Sequence, residues 1–142
     1  MTTPTTITIQ TTIVAPITHV WECWNTPAHI TQWNAASPDW HTPHSAVNLQ
    51  VGGKFSSRME AKDGSFGFDF WGTYTLVNAP TELSYTLGDG RNVHIQFIAN
   101  GHETTVIEQF EAEGTNPVEM QRAGWQSILD NFATYVTRTK PT

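Results

Sequence analysis

The chain has 142 residues, room for one domain with a real core and too few for two ordinary ones. Its net charge is −6, with 7 Lys and Arg scattered among 13 Asp and Glu, which argues against the basic patch that nucleic acid or an anionic membrane surface requires. Cys23 stands alone, so no internal disulfide forms and a reducing, cytoplasmic setting is expected; no signal peptide is visible and no stretch approaches the ~20 apolar residues of a membrane span.

Residues 1–6 are Thr-rich and expected to fray. Ile7, Ile9, Thr11 and Ile13 alternate with Thr8, Gln10 and Thr12, which predicts a first strand. Pro16 opens a short helix with Ile17, Val20, Trp21 and Trp24 at amphipathic spacing. Thr26-Pro27 starts a second short helix carrying Ile30 and Trp33. The stretch Asn34 to Ser45 holds two prolines, two histidines and Trp40, and reads as a loop.

A meander follows. Ala46–Val51 is a short strand ended by Gly52-Gly53. Lys54–Ala61 and Ser65–Val77 form a hairpin around Lys62-Asp63-Gly64, and Asn78-Ala79-Pro80 turns the chain. Glu82–Leu87 and Arg91–Ala99 pair around Gly88-Asp89-Gly90, and Asn100-Gly101 leads to a strand over Thr104–Ala112.

The last helix runs from Asn116 to about Val136. Asn116 reads as its N-cap, Pro117 as its first residue, and Glu119 completes a capping-box pattern. Trp125, Ile128, Leu129, Phe132 and Val136 share one face, while Glu119, Arg122, Gln126 and Asp130 share the opposite one. Gln121 and Gly124 interrupt the apolar face; Gly124 costs roughly 1 kcal/mol of helix propensity, which implies that something large needs the room. A wide apolar stripe on a lone helix must be covered, and only an antiparallel sheet is available to cover it. The fold class is therefore α+β: a curved sheet of six or seven strands around a long C-terminal helix, with two short helices after the first strand. A sheet curled around one helix leaves a space between them, so the expected object is a container, a single domain over 1–142 with its ordered core at about 7–138.

Strand alternation assigns the faces. Val106, Glu108 and Phe110 should point at the helix, as should Val93, Ile95 and Phe97, and Leu83, Tyr85 and Leu87. Phe55, Ser57 and Met59 should do so too, with Phe66, Phe68, Phe70 and Tyr74. From the sheet, the candidate ligand-binding set is Phe55, Ser57, Met59, Phe68, Phe70, Tyr85, Ile95, Glu108 and Phe110. From the helix it takes Gln121, Gly124, Trp125 and Ile128, with Trp33 and Trp40 flanking the mouth or capping the core. Six tryptophans and seven phenylalanines supply aromatic walls. Glu108 among them must find a partner such as Arg58 or Arg91, reach solvent, or have a raised pKa.

Other candidate chemistry is weak. Asp39-x-His41-x-x-His44 holds ligand-type residues, but the segment is broken by proline and lacks a fourth ligand, so no metal is expected. His19, His29 and His102 read as surface positions and His94 as an exposed sheet residue; Cys23 reads as a small packed residue. Gly52-Gly53 lacks the Lys-Ser/Thr and helix of a phosphate loop, and no nucleophile elbow or triad is visible. No cofactor and no catalytic residue are assigned.

Six short patterns carry a family resemblance: Val20-Trp21-x-x-Trp24, Pro27-x-His29-Ile30-x-x-Trp33, Gly52-Gly53-Lys54-Phe55, Gly72-Thr73-Tyr74, Asp89-Gly90, and Gly124-Trp125-x-x-x-Leu129. In this order, over about residues 7–138, the chain resembles the START-like (SRPBCC, Bet v 1-like) helix-grip superfamily, in the branch related to the C-terminal domain of activators of the heat-shock-protein-90 ATPase. Asn34 departs from it, standing where many relatives carry a tryptophan. The patterns are mostly fold motifs, and fold leaves function open. The leading expectation is a binding protein for a small hydrophobic or amphipathic molecule. The resemblance adds a protein-binding module that contacts a chaperone, although the activators are larger and use another domain for their main chaperone contact. It also adds a small-molecule enzyme of the polyketide-cyclase type, with Glu108 as the acid/base group beside Tyr85.

Overall fold

From β2 to β7, each strand pairs with the strand next to it in sequence. The computed structural model describes residues 5–139. Its elements are β1 (Thr6–Ile13), α1 (Ile17–Asn25), α2 (Pro27–Trp33), β2 (Trp40–Val47), β3 (Lys54–Ala61), β4 (Gly67–Asn78), β5 (Glu82–Leu87), β6 (Asn92–Asn100), β7 (Glu103–Glu111) and α3 (Val118–Arg138). Residues 1–4, most of the Thr-rich start, lie outside the described residues; Thr6 is already paired in β1, opposite Glu111. The sheet is antiparallel with seven strands in the order β1-β7-β6-β5-β4-β3-β2. Only β1 leaves the meander order, crossing to pair with β7. The sheet curls into a half-barrel around α3, so the architecture is the α+β helix grip.

The buried face is the one that alternation assigns. Ile7 and Ile9 of β1, Val106 and Phe110 of β7, Val93, Ile95 and Phe97 of β6, and Leu83 and Leu87 of β5 are buried with Leu129, Phe132 and Val136 of α3. Aromatic edges lock α1 and α2 onto this core. Trp24 meets Phe132 at 4.9 Å and Trp33 meets it at 4.8 Å, both T-shaped. The Trp33 indole N–H donates to the Cys23 carbonyl at 2.9 Å, tying the two short helices together.

Several local expectations need correction. The stretch read as a loop contains β2, which starts at Trp40 and ends at Val47. Its pairing with β3 shifts register between His41 and His44, around Pro43. A proline without an N–H is tolerated there because β2 is the sheet edge. Strand β4 starts at Gly67, so Phe66 precedes it and is 62% exposed instead of pointing inward. Helix α3 starts at Val118 with Pro117 in the cap position, and no side chain caps it. Asn116 is therefore not the N-cap; Glu113 accepts hydrogen bonds from the Thr115 and Asn116 N–H groups instead. His19 is buried, its Nε2 lying 3.1 Å from the Thr139 hydroxyl and 3.2 Å from the Thr139 carbonyl. His29 is half-buried against the Tyr135 hydroxyl. In both cases the chain end of α3 folds back over a short helix, a contact that no local pattern carries.

Candidate functional site

Between the concave face of the sheet and α3 lies a hollow of about 270 Å³. It has room for several waters or a small organic molecule. Strand β3 contributes Phe55, Ser57 and Met59; β4 contributes Phe68 and Phe70; β5 contributes Tyr85; β7 contributes Glu108. Trp33 closes one end and Trp125 and Ile128 of α3 form the roof. Gly72 lets this wall form. It lies opposite Phe55, and a Cβ there would stand 2.9 Å from the Phe55 ring. With that space free, Phe55 packs 4.7 Å from Tyr85, 5.5 Å from Tyr74 and 5.8 Å from Phe70.

Five residues of the candidate set lie outside the lining. Ile95 is fully buried core, held between Leu83 and Glu108 in the ladder. Phe110 stacks flat on Trp125 at 3.8 Å and so props the roof without entering the space. Trp40 packs against Phe66 and Phe68 at about 6 Å, outside the hollow. Gln121 is buried, but its amide is spent on the loop before α3: the Glu113 N–H donates to it, and it donates to the carbonyls of Glu113 and Asn116. Gly124 has nothing within 4 Å of where a Cβ would stand, so no large neighbour requires it.

The lining also includes Trp24, Asn25, Ile30, Asn34, Val47, Tyr74, Leu83 and Arg91. Trp24 and Ile30 were visible as apolar helix positions, and Tyr74 and Leu83 as inward strand positions. Asn25 and Asn34 end their helices and Val47 ends an edge strand; no periodic signal marks them.

The electrostatics centre on Glu108. It is 5% exposed, and burial pushes its pKa up to about 8. Neither proposed partner reaches it. Arg58 pairs with Glu60 at 3.0 Å and Asp69 at 3.5 Å, and Arg91 pairs with Asp89 at 2.8 Å. No described residue hydrogen-bonds to the Glu108 carboxyl, and no described buried side-chain oxygen or nitrogen is sealed without a partner, so its oxygens open onto the hollow. Burial, with the Glu108 charge as a second cause, holds the Tyr85 phenol well above its ordinary pKa, and burial raises Tyr74 likewise. Both tyrosines stay protonated at neutral pH. Ser57 shares a 3.2 Å hydrogen bond with Ser45. The lining is mostly apolar, with Asn25, Asn34, Ser57, Arg91 and the two tyrosine hydroxyls as polar groups beside Glu108. A carboxyl with a pKa near neutrality also has the proton affinity of an acid–base group. The nearest approach to a nucleophile pair, Cys23 Sγ at 3.7 Å from His19 Nε2, is buried at the Thr139 end of the molecule and does not line the hollow. His41 and His44 lie on the edge strand β2, with His41 3.7 Å from Glu60. No helix among the described residues is long and apolar enough to cross a membrane.

The sequence profile of the family described as Activator of Hsp90 ATPase homolog 1-like protein matches residues 14–137. The solution structure of the AHSA1-like protein from Aeromonas hydrophila is 52% identical, with a TM-score of 0.88 over 93% of this chain and 92% of that one. The solution structure of Chr148 from Cytophaga hutchinsonii is 48% identical, with a TM-score of 0.80 over 91% of this chain and 90% of that one. Protein CV1439 from Chromobacterium violaceum, 19% identical, shares the fold with a TM-score of 0.85 over 96% of this chain and 100% of that one. No curated protein matches the chain. With the matched profile spanning nearly all of the helix grip, the chain belongs to the Activator of Hsp90 ATPase homolog 1-like family.

Proposed function

We propose that the protein binds a small, mostly apolar molecule in the hollow between the sheet and α3, with one polar group of the ligand meeting Glu108. The observation that carries this reading is an aromatic-walled space of about 270 Å³ with one buried carboxyl that no described residue satisfies. Ligand sites are typically concave and apolar with a few placed polar groups. Native mass spectrometry of freshly purified protein tests the reading for a retained guest, and a thermal-shift screen of small apolar compounds tests it for exchange. Silence in both overturns it. The reading assigns no reaction, and a cytoplasmic setting is proposed with it from the lack of a cysteine pair in the sequence.

Family membership supports a second reading, contact with a chaperone ATPase of the Hsp90 type. A single helix-grip domain offers that partner only its outer surface. Pull-down of the chaperone together with a change in its ATPase rate supports this reading; absence of both removes it.

A further inference from the structure

On the reading that the hollow holds a small molecule, we propose that its guest is an organic cation, an apolar amine or quaternary ammonium whose positive group sits against Glu108. Two features of the site point there independently. The first is the carboxyl itself, 5% exposed, open to the hollow and without a hydrogen-bond or ion-pair partner among the described residues. Arg91 is the one cationic side chain of the lining, and its guanidinium is engaged by Asp89 at 2.8 Å and by the Glu111 carbonyl at 3.3 Å. No described residue thus offers a counter-charge to ionised Glu108, and a cationic guest would supply one.

The second is the wall. Phe55, Phe70, Tyr74, Tyr85 and Trp125 surround the space, with neighbouring ring centroids such as Phe55–Tyr85 at 4.7 Å and Phe70–Trp125 at 6.1 Å. Ring faces attract cations electrostatically, and aromatic cages with a nearby carboxylate suit alkylated ammonium groups, whose weak hydration lowers the cost of leaving water. An anionic guest such as a fatty acid would instead place a second carboxylate beside Glu108, inside a chain of net charge −6. A volume of about 270 Å³ accommodates one ring and a short alkylammonium.

The groups facing Glu108 define how the site responds to pH. Tyr85 of β5 and Tyr74 of β4 are the titratable ones, and Arg91 at the foot of β6 is the charged one. The partner strands present Ile9 and Ile95, and α3 presents Trp125 and Ile128. Both phenols stay neutral throughout the accessible range, because burial raises them. Glu108 is then the group that titrates, and a cation binds its ionised form.

Three matched probes test this: benzyltrimethylammonium, its uncharged carbon isostere neopentylbenzene, and the neutral acceptor phenylacetone, followed by tryptophan fluorescence and by calorimetry in buffers of different ionisation enthalpy. At about pH 9 the cation is expected to bind at least about tenfold more tightly than the isostere. Its affinity should fall by about tenfold per pH unit below about pH 8, with release of about one proton on binding. Glu108→Gln should abolish the cation preference and the proton release while neopentylbenzene still binds. If the neutral probes bind and the cation does not exceed them at any pH, the cation assignment is overturned and the container survives. If none of the three binds, the cation assignment is overturned, and the container is judged by the mass-spectrometric and thermal-shift tests above. The pH dependence on the unaltered protein decides the matter even if Glu108→Gln fails to fold.

Discussion

Alternation along β7 puts Val106, Glu108 and Phe110 on one face, and only the middle one is polar. Burial raises the Glu108 pKa from 4.5 to about 8. Between those values the folded protein holds a proton that the unfolded chain has released, so stability falls as pH rises through the window. At about 1.4 kcal/mol per pH unit, the cost of keeping the ionised carboxyl in place above about pH 8 reaches several kcal/mol. Glu108→Gln keeps the volume and removes the titration. Its melting temperature is expected to match the wild type near pH 4.5 and to exceed it increasingly toward about pH 8. Two unfolding profiles with the same pH dependence would contradict the burial of this carboxyl. The position was legible in the sequence, because period two assigns a face from neighbours alone. Its isolation was not, because Arg58 and Arg91 turn to Glu60 and Asp89 on their own hairpins.

At the scale of elements, α3 is anchored differently from its sequence pattern. The capping box would make Asn116 worth about 1 kcal/mol. In the structure, Gln121 makes three hydrogen bonds to the preceding loop, while the Asn116 side chain has one long contact of 3.4 Å to Glu113. Gln121→Ala is therefore expected to cost about 1–3 kcal/mol and Asn116→Ala less than about 0.5, measured by urea unfolding. The reverse ranking would restore the capping box. Gly124→Ala should stabilise by about 0.5–1 kcal/mol, since its Cβ meets nothing within 4 Å and the helix gains propensity; a loss would reveal a neighbour on that face. Strand β2 was hidden for a related reason. Pro43 and the bulge between His41 and His44 break the alternation that marks a strand, and pairing with β3 supplies the order that the segment lacks by itself.

For the molecule as a whole, the decisive property is that the sheet does not close fully on α3. Ser57 is inward on β3, 3% exposed, and lines the hollow. Ser57→Leu fills part of that space, and burying the added apolar surface stabilises by about 1 kcal/mol or more if the room is real. The variant is expected to unfold at the same or a higher temperature and to lose binding of apolar probes. Destabilisation by more than about 2 kcal/mol would mean that the side chain is overpacked and the space is not available.

The meander order, the two short helices and the inward faces of β5 to β7 were determined by the residues themselves, since each depends on the periodicity of close neighbours and on the turns between them. The tertiary structure alone decided that Phe110 stacks on Trp125 and leaves the hollow to others, that Gln121 serves the backbone, that Trp40 joins an outer cluster, and that Glu108 pairs with no cation among the described residues. These outcomes depend on how far the sheet curls around α3 and on which distant side chains arrive first. That competition is settled between elements far apart in the chain, where no local period can record it.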